Sequence, residues 1–130
     1  ALYYEYEAAA SHRSLPIHRY RLLARRYLDE VVARAPFDPL VFVALGEVDL
    51  KLDDLSGAET VFRKGLAADP ESLYVLHGLA VVAVERQQWA SAAHWYAAAI
   101  AIARQPSLKS AYEIDLRAVE HDRPPPAQDG

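Results

Sequence analysis

Residues 73–84 read LYVLHGLAVVAV, a stretch in which every residue except His77 is apolar or glycine. As a helix, twelve residues rise only about 18 Å, whereas the hydrocarbon core of a bilayer is about 30 Å thick. Glu85 and Arg86 follow directly and end the apolar stretch. It is therefore too short to span a membrane, and we expect protein to bury it.

A sequence period extends outward from this stretch. Comparing the sequence with itself at a shift of 34 pairs Leu45 with Leu79, Leu55 with Trp89, Ala58 with Ala92, Phe62 with Tyr96 and Leu66 with Ile100. The same shift backwards pairs Ala24 with Ala58, Leu28 with Phe62 and Pro36 with Pro70. Periods of this length are typical of arrays in which stacked units bury faces that a single unit cannot bury.

Within each period, apolar residues recur every three or four places, and prolines separate the segments. This spacing predicts amphipathic helices. The predicted helices are Pro16 to Ala35, Pro39 to Leu52, Ser56 to Ala68, Leu73 to Glu85, Ala90 to Ala103 and Ser107 to Glu120. Residues 2–13 are also compatible with a helix. Residues 122–130 lack an apolar stripe, and we expect them to form a disordered, proline-rich tail or linker.

The first full period resembles a tetratricopeptide repeat (TPR), whose pattern opens with W-x-x-L-G and continues with a small residue, an aromatic residue and a closing proline. Residues 42–46, FVALG, occupy the opening, and Ala58, Phe62 and Pro70 follow at the spacing of that family. The second period has Arg104 in place of the closing proline. Its matching positions are Leu76, Leu79, Ala80, Ala92, Tyr96 and Ala99.

The resemblance implies an all-α fold, a right-handed superhelical array of helix-turn-helix repeats with about three repeats and a terminal capping helix. The domain would span residues 1–121 and leave the tail at 122–130. Its parts would be a degenerate repeat at about 5–38, full repeats at 39–72 and 73–106, and a capping helix at 107–121. The degenerate copy keeps only the pattern of its second helix.

In this family, the first helix of each repeat lines a concave groove that holds a partner helix or extended peptide. The resemblance places the groove at Leu40, Val43, Glu47, Leu50, Tyr74, His77, Val81 and Val84. Two occupants are compatible with the second repeat: a partner, or the terminal helix with Leu108, Tyr112 and Leu116. Relatives that bind the acidic tails of heat-shock chaperones present lysine and asparagine where Val43 and Glu47 stand, so the resemblance argues against that partner.

Composition and motifs indicate a protein without chemistry of its own. The net charge of −4 and pI near 5.7 give no support for nucleic-acid binding. Cysteine is absent, the glycines are scattered, and the histidines have no metal-site spacing. Asp53 and Asp54 fit a short turn better than a calcium loop. We therefore expect no enzyme activity, no metal and no cofactor, and the compartment stays open between cytoplasm and periplasm.

Arginines are concentrated before residue 35, and acidic residues follow in the next hairpin. One interpretation is a solvated face with ion pairs along the helix, Arg25 to Asp29 and Arg26 to Glu30. The other is a surface that docks an acidic partner electrostatically. The candidate docking residues are Arg19, Arg21, Arg25 and Arg26.

Together these features predict a scaffold or adaptor that binds a protein or peptide partner, without nucleic acid and without membrane insertion. Alanine and arginine usage and the start at Ala1 lead us to expect a fragment of a larger bacterial protein, in an envelope, secretion or exopolysaccharide machine. The alternatives are a self-assembling module, hence a homo-oligomer, and a non-catalytic regulatory segment of a larger enzyme.

Overall fold

The structure, a computed structural model, describes residues 17–34 and 38–126. Within these ranges it contains six α-helices and no β-strand, which confirms the all-α prediction for this part of the chain. The helices are α1 (Ile17–Arg34), α2 (Pro39–Lys51), α3 (Leu55–Ala68), α4 (Leu73–Glu85), α5 (Trp89–Ile102) and α6 (Pro106–Glu120).

The sequence period reappears in the helix boundaries. Helices α4 and α5 begin and end one full period after α2 and α3. The turns within the two hairpins also correspond, because Asp53 and Gln87, again one period apart, both have a positive φ, of 58° and 56°. The repeat predicted from side-chain identity is therefore also a repeat of the backbone.

Side chains at the N-termini explain where three of the helices begin. Oδ1 of Asp38 accepts a hydrogen bond from the Leu40 amide at 3.0 Å, and Oδ1 of Asp54 accepts one from Gly57 at 2.9 Å. Ser72 caps α4 through the Val75 amide. Such caps satisfy amides that have no partner inside the helix. The Asp54 cap starts α3 at Leu55, one residue before the predicted start.

The described residues form two compact units, which divide between Pro70 and Glu71. In the first, α2 packs against both α1 and α3. Between α2 and α3, the fully buried ring of Phe62 lies against Gly46. The core cluster of this unit consists of Ala24, Leu28, Phe42, Leu45, Val48 and Val61.

In the second unit, α5 packs against both α4 and α6. Helix α4 carries the apolar stretch at 73–84, and most of its side chains are buried. Those buried are Val75, Leu76, Leu79, Ala80, Val82 and Ala83. Tyr96 on α5 and Val119 on α6 are also buried. Protein therefore covers most of this stretch, whereas Tyr74 is exposed.

Some sequence expectations concern other parts of the chain. The helix expected at residues 2–13, and with it the start of the degenerate repeat, lies outside the described residues, as do residues 127–130 of the tail. The described part of the tail, residues 122–126, has neither helix nor strand. The terminal helix α6 starts at Pro106, one residue before the predicted start, because proline is well suited to the first helical position.

Candidate functional site

One face of α4 carries the four groove residues that were predicted in the second unit. Tyr74 is the most exposed of them, with 68% of its surface accessible. His77, Val81 and Val84 are partly exposed. Their spacing of three or four residues places them along one side of the helix. All other residues of α4 between Tyr74 and Val84 are buried, so these four residues form its accessible side between the helix ends, referred to below as the α4 face.

Helix α6 covers part of the α4 face. The ring centroid of Tyr112 lies 6.0 Å from that of His77, and Tyr112 itself is buried. Leu108 and Leu116, predicted to lie with Tyr112, are partly exposed. Tyr96 of α5 completes the cluster, with ring centroids 6.4 Å from His77 and 6.5 Å from Tyr112. The terminal helix therefore reaches the predicted groove at His77 and leaves Tyr74 largely exposed.

Burial determines the protonation of this aromatic cluster. It lowers the pKa of His77, so the imidazole is held neutral. Burial also raises the pKa values of Tyr96 and Tyr112, and the carboxylate of Asp115 raises both further. Asp115 is itself 2% exposed. The cluster is thus a neutral histidine and two neutral phenols beside a buried acidic side chain.

The sequence interpretation did not include Asp115 or Tyr96 among the site residues. A signal for Asp115 was present, because it is the one acidic residue at the helical spacing of Leu108, Tyr112 and Val119 in α6. An ionisable residue on an apolar stripe is seldom buried without a partner.

In the first unit, the predicted groove residues differ in accessibility. Leu40 is 67% exposed and Glu47 is exposed, whereas Leu50 is partly exposed and Val43 is buried. Leu40 and Tyr74 are one period apart and occupy the second position of α2 and α4. Both hairpins therefore present a large apolar side chain at the same place.

The four arginines of the predicted docking surface have different environments. Arg19 and Arg26 are exposed on α1. Arg21 donates a hydrogen bond to the Lys51 carbonyl at 3.4 Å. Arg25 forms its ion pairs outside α1 rather than with Asp29 of the same helix: Nη2 lies 2.9 Å from Oδ2 of Asp54, the residue that caps α3. Only part of the arginine set is therefore directed to solvent.

The second ion pair of Arg25 is with Asp49, a carboxylate of α2 that is 1% exposed. Nε of Arg25 lies 3.0 Å from Oδ1 of Asp49, but the direction of the N–H does not make a hydrogen bond, so the attraction is electrostatic. Burial raises the pKa of Asp49 to about 6, despite the opposing effect of Arg25. Asp49 is therefore a buried carboxylate of α2 that pairs with an arginine of α1.

The described residues contain no group of three or more histidine, aspartate or glutamate side chains that could hold a metal ion. None of the helices at 17–34 and 39–120 has the length and apolarity to cross a bilayer. No protein-family model, no curated protein and no solved structure matches this chain.

Proposed function

We propose that this chain is a tetratricopeptide-like adaptor, a superhelical array of helical hairpins that binds a protein partner through the first helix of each hairpin and has no catalytic step of its own. The period shared by the helix boundaries and the turns supports the repeat architecture. In the same proposal, the chain belongs to a larger bacterial protein that acts in an envelope, secretion or exopolysaccharide machine.

The observation that carries the proposal is the pair Leu40 and Tyr74. A single exposed apolar residue is ordinary on a protein surface. Here, two large apolar side chains are about two-thirds exposed at the same position of two successive repeats. Burying such a side chain on binding is worth about 1.5 to 3 kcal/mol. In the free protein these side chains are largely exposed and contribute little to stability. A partner that buries them would therefore gain affinity.

The chemistry of the α4 face indicates the kind of partner. Val81 and Val84 provide apolar surface, Tyr74 adds an aromatic ring with a hydroxyl, and His77 is neutral. Such a surface fits the apolar side of an amphipathic helix, or alternate side chains of an extended peptide. On the first unit, the exposed Arg19 and Arg26 are the candidates for attracting acidic groups of a partner and increasing the rate of association.

The proposal is tested by selecting peptides from a random display library on the immobilised protein and measuring their affinity by fluorescence anisotropy. Tyr74→Ser is expected to weaken binding at least tenfold. Ile114→Ser, at an exposed apolar residue of the same unit on α6, is the matched control and should leave affinity unchanged. Equal affinity for the wild type and Tyr74→Ser, with both folded, would contradict the proposal, as would a selection that returns no binding peptide.

Self-assembly is the second candidate, and a surface of α1 favours it. Leu22 and Leu23 are both more than 40% exposed, and Leu23 lines a shallow pocket with Arg26, Tyr27 and Glu30. Sedimentation velocity over a hundredfold range of protein concentration distinguishes this candidate from an adaptor that acts as a monomer. A mass that rises with concentration in the wild type but not in Leu23→Ser would favour self-assembly through α1.

A further inference from the structure

Tyr112 of α6 lies beside the α4 face. Tyr112 approaches His77 at 6.0 Å between ring centroids, and Tyr74 lies close enough to influence the pKa of Tyr112. Two of the four residues of the α4 face are thus close to one side chain of α6. The position of α6 therefore determines how much of this face a partner can reach.

His77 is the residue of this contact whose charge changes near neutral pH. The titratable groups around it are Tyr74 on its own helix, Tyr96 on α5 and Tyr112 on α6. Asp115 of α6 lies beside the last two and acts on both of their hydroxyls. The phenols stay neutral well above physiological pH. Around pH 5 to 7, protonation of His77 would thus add a positive charge to a partly buried site beside two neutral rings.

We propose that α6 is a proton-sensitive cover of the α4 face, held in place while His77 is neutral and loosened when its imidazole becomes charged. The effect on partner binding rests on the proposed function, because the surface that α6 covers is the proposed partner site. The structural part, the coupling between His77 and α6, is independent of any partner.

The direction of the effect follows from proton linkage. In the docked state burial lowers the pKa of His77, whereas detachment of α6 exposes the imidazole to water and returns its pKa towards 6.5. The detached state therefore binds the proton more tightly. The attraction of the cation to the faces of Tyr96 and Tyr112 opposes this effect, but the pKa of His77 is lowered because burial dominates. Docking of α6 is strongest above about pH 6.5 and weakens as the pH falls.

Hydrogen exchange measured by mass spectrometry tests the coupling on the full chain. After correction for intrinsic exchange, the amides of α6 should lose protection severalfold between pH 7.5 and pH 5.5 in the wild type. In His77→Gln, which stays neutral, the protection of α6 should be independent of pH in this range. His94→Gln, at an exposed histidine of α5, is the matched control and should behave as the wild type does.

A second measurement keeps the inference testable if His77→Gln does not fold. NMR titration of the wild type should give His77 a pKa below the ordinary histidine value of 6.5, and the ring resonances of Tyr112 should shift in the same step. Unchanged α6 protection at the two pH values, or Tyr112 signals that do not follow His77, would overturn the inference.

Peptide affinity distinguishes failure of the inference from failure of the proposed function. If Tyr74→Ser weakens peptide binding while α6 protection is independent of pH, the adaptor proposal stands and the cover is rejected. If α6 protection depends on His77 but Tyr74→Ser has no effect on any selected peptide, the cover stands and the partner site lies elsewhere.

Discussion

The ring of Phe62 occupies the space that a side chain at Gly46 would need. A Cβ built on Gly46 would lie 2.4 Å from Cε1 of Phe62, and the ring is fully buried. Gly46→Ala should therefore destabilise the protein by about 1–3 kcal/mol through overpacking, although alanine is by itself about 1 kcal/mol better than glycine in a helix. Urea denaturation followed by circular dichroism measures the change.

A double-mutant cycle tests whether Phe62 is the cause. In the background of Phe62→Leu, which removes the ring, Gly46→Ala should cost less than in the wild type. An equal cost in both backgrounds would show that the strain arises elsewhere.

The raised pKa of Asp49 predicts a pH-dependent contribution to stability. Since the folded state, with a pKa of about 6, binds this proton more tightly than the unfolded chain does, acidification from pH 7.5 to 4.5 should stabilise the wild type relative to Asp49→Asn. The difference in melting temperature between the two proteins, measured at several pH values, isolates this group from the others. If the melting temperatures of the two proteins change in parallel with pH, Arg25 keeps the pKa of Asp49 at its ordinary value.

The residues that precede the second helix of each hairpin differ in capping, so we expect substitutions at these two positions to change stability in opposite directions. Asp54 accepts a hydrogen bond from Gly57, whereas Gln88, the equivalent residue one period later, makes no capping hydrogen bond through its side chain. Asp54→Ala should lower the free energy of unfolding by about 1–2 kcal/mol, and Gln88→Asp should raise it by about 1 kcal/mol. Asp54→Asn, which can still cap, should lose less than Asp54→Ala. Thermal melts of the four proteins provide the comparison.

Gln87 has a φ of 56°, which is unfavourable for a residue with a Cβ. Gln87→Gly should stabilise the protein by about 0.5–1 kcal/mol because glycine adopts this conformation without the steric cost. Gln87→Ala retains the Cβ and is the control, for which no gain is expected. A gain of similar size in both variants would attribute the effect to loss of the glutamine side chain.

Most helix boundaries could be predicted from the sequence because they depend on local signals. Prolines, cap residues and the spacing of apolar residues act within a few positions of one another, and the period placed equivalent helices at equivalent positions of the two hairpins. The predicted starts of α3, α5 and α6 were each one residue late, since the sequence signals do not show which residue adopts the cap conformation.

The polar contacts could not be predicted in the same way. The spacing of Arg25 and Asp29 favoured a pair along α1, but the structure pairs Arg25 with Asp49 and Asp54. Which partner an arginine reaches depends on how neighbouring helices are rotated about their axes, and that rotation is fixed by packing of the whole unit. The surroundings of Asp115 also depend on helix packing, because its neighbours Tyr96 and Tyr112 come from two different helices.

The matching boundaries of the two hairpins have a consequence for how the gene can change in length. Because Asp38 and Ser72 stand one period apart and each caps the helix that follows it, the segment 39–72 ends with the residue that begins the next hairpin. A tandem duplication of this segment would join cap to helix correctly at both junctions. Insertions of other lengths would interrupt a helix or leave its first amides unsatisfied, so growth in whole repeats is the route that the backbone permits most readily.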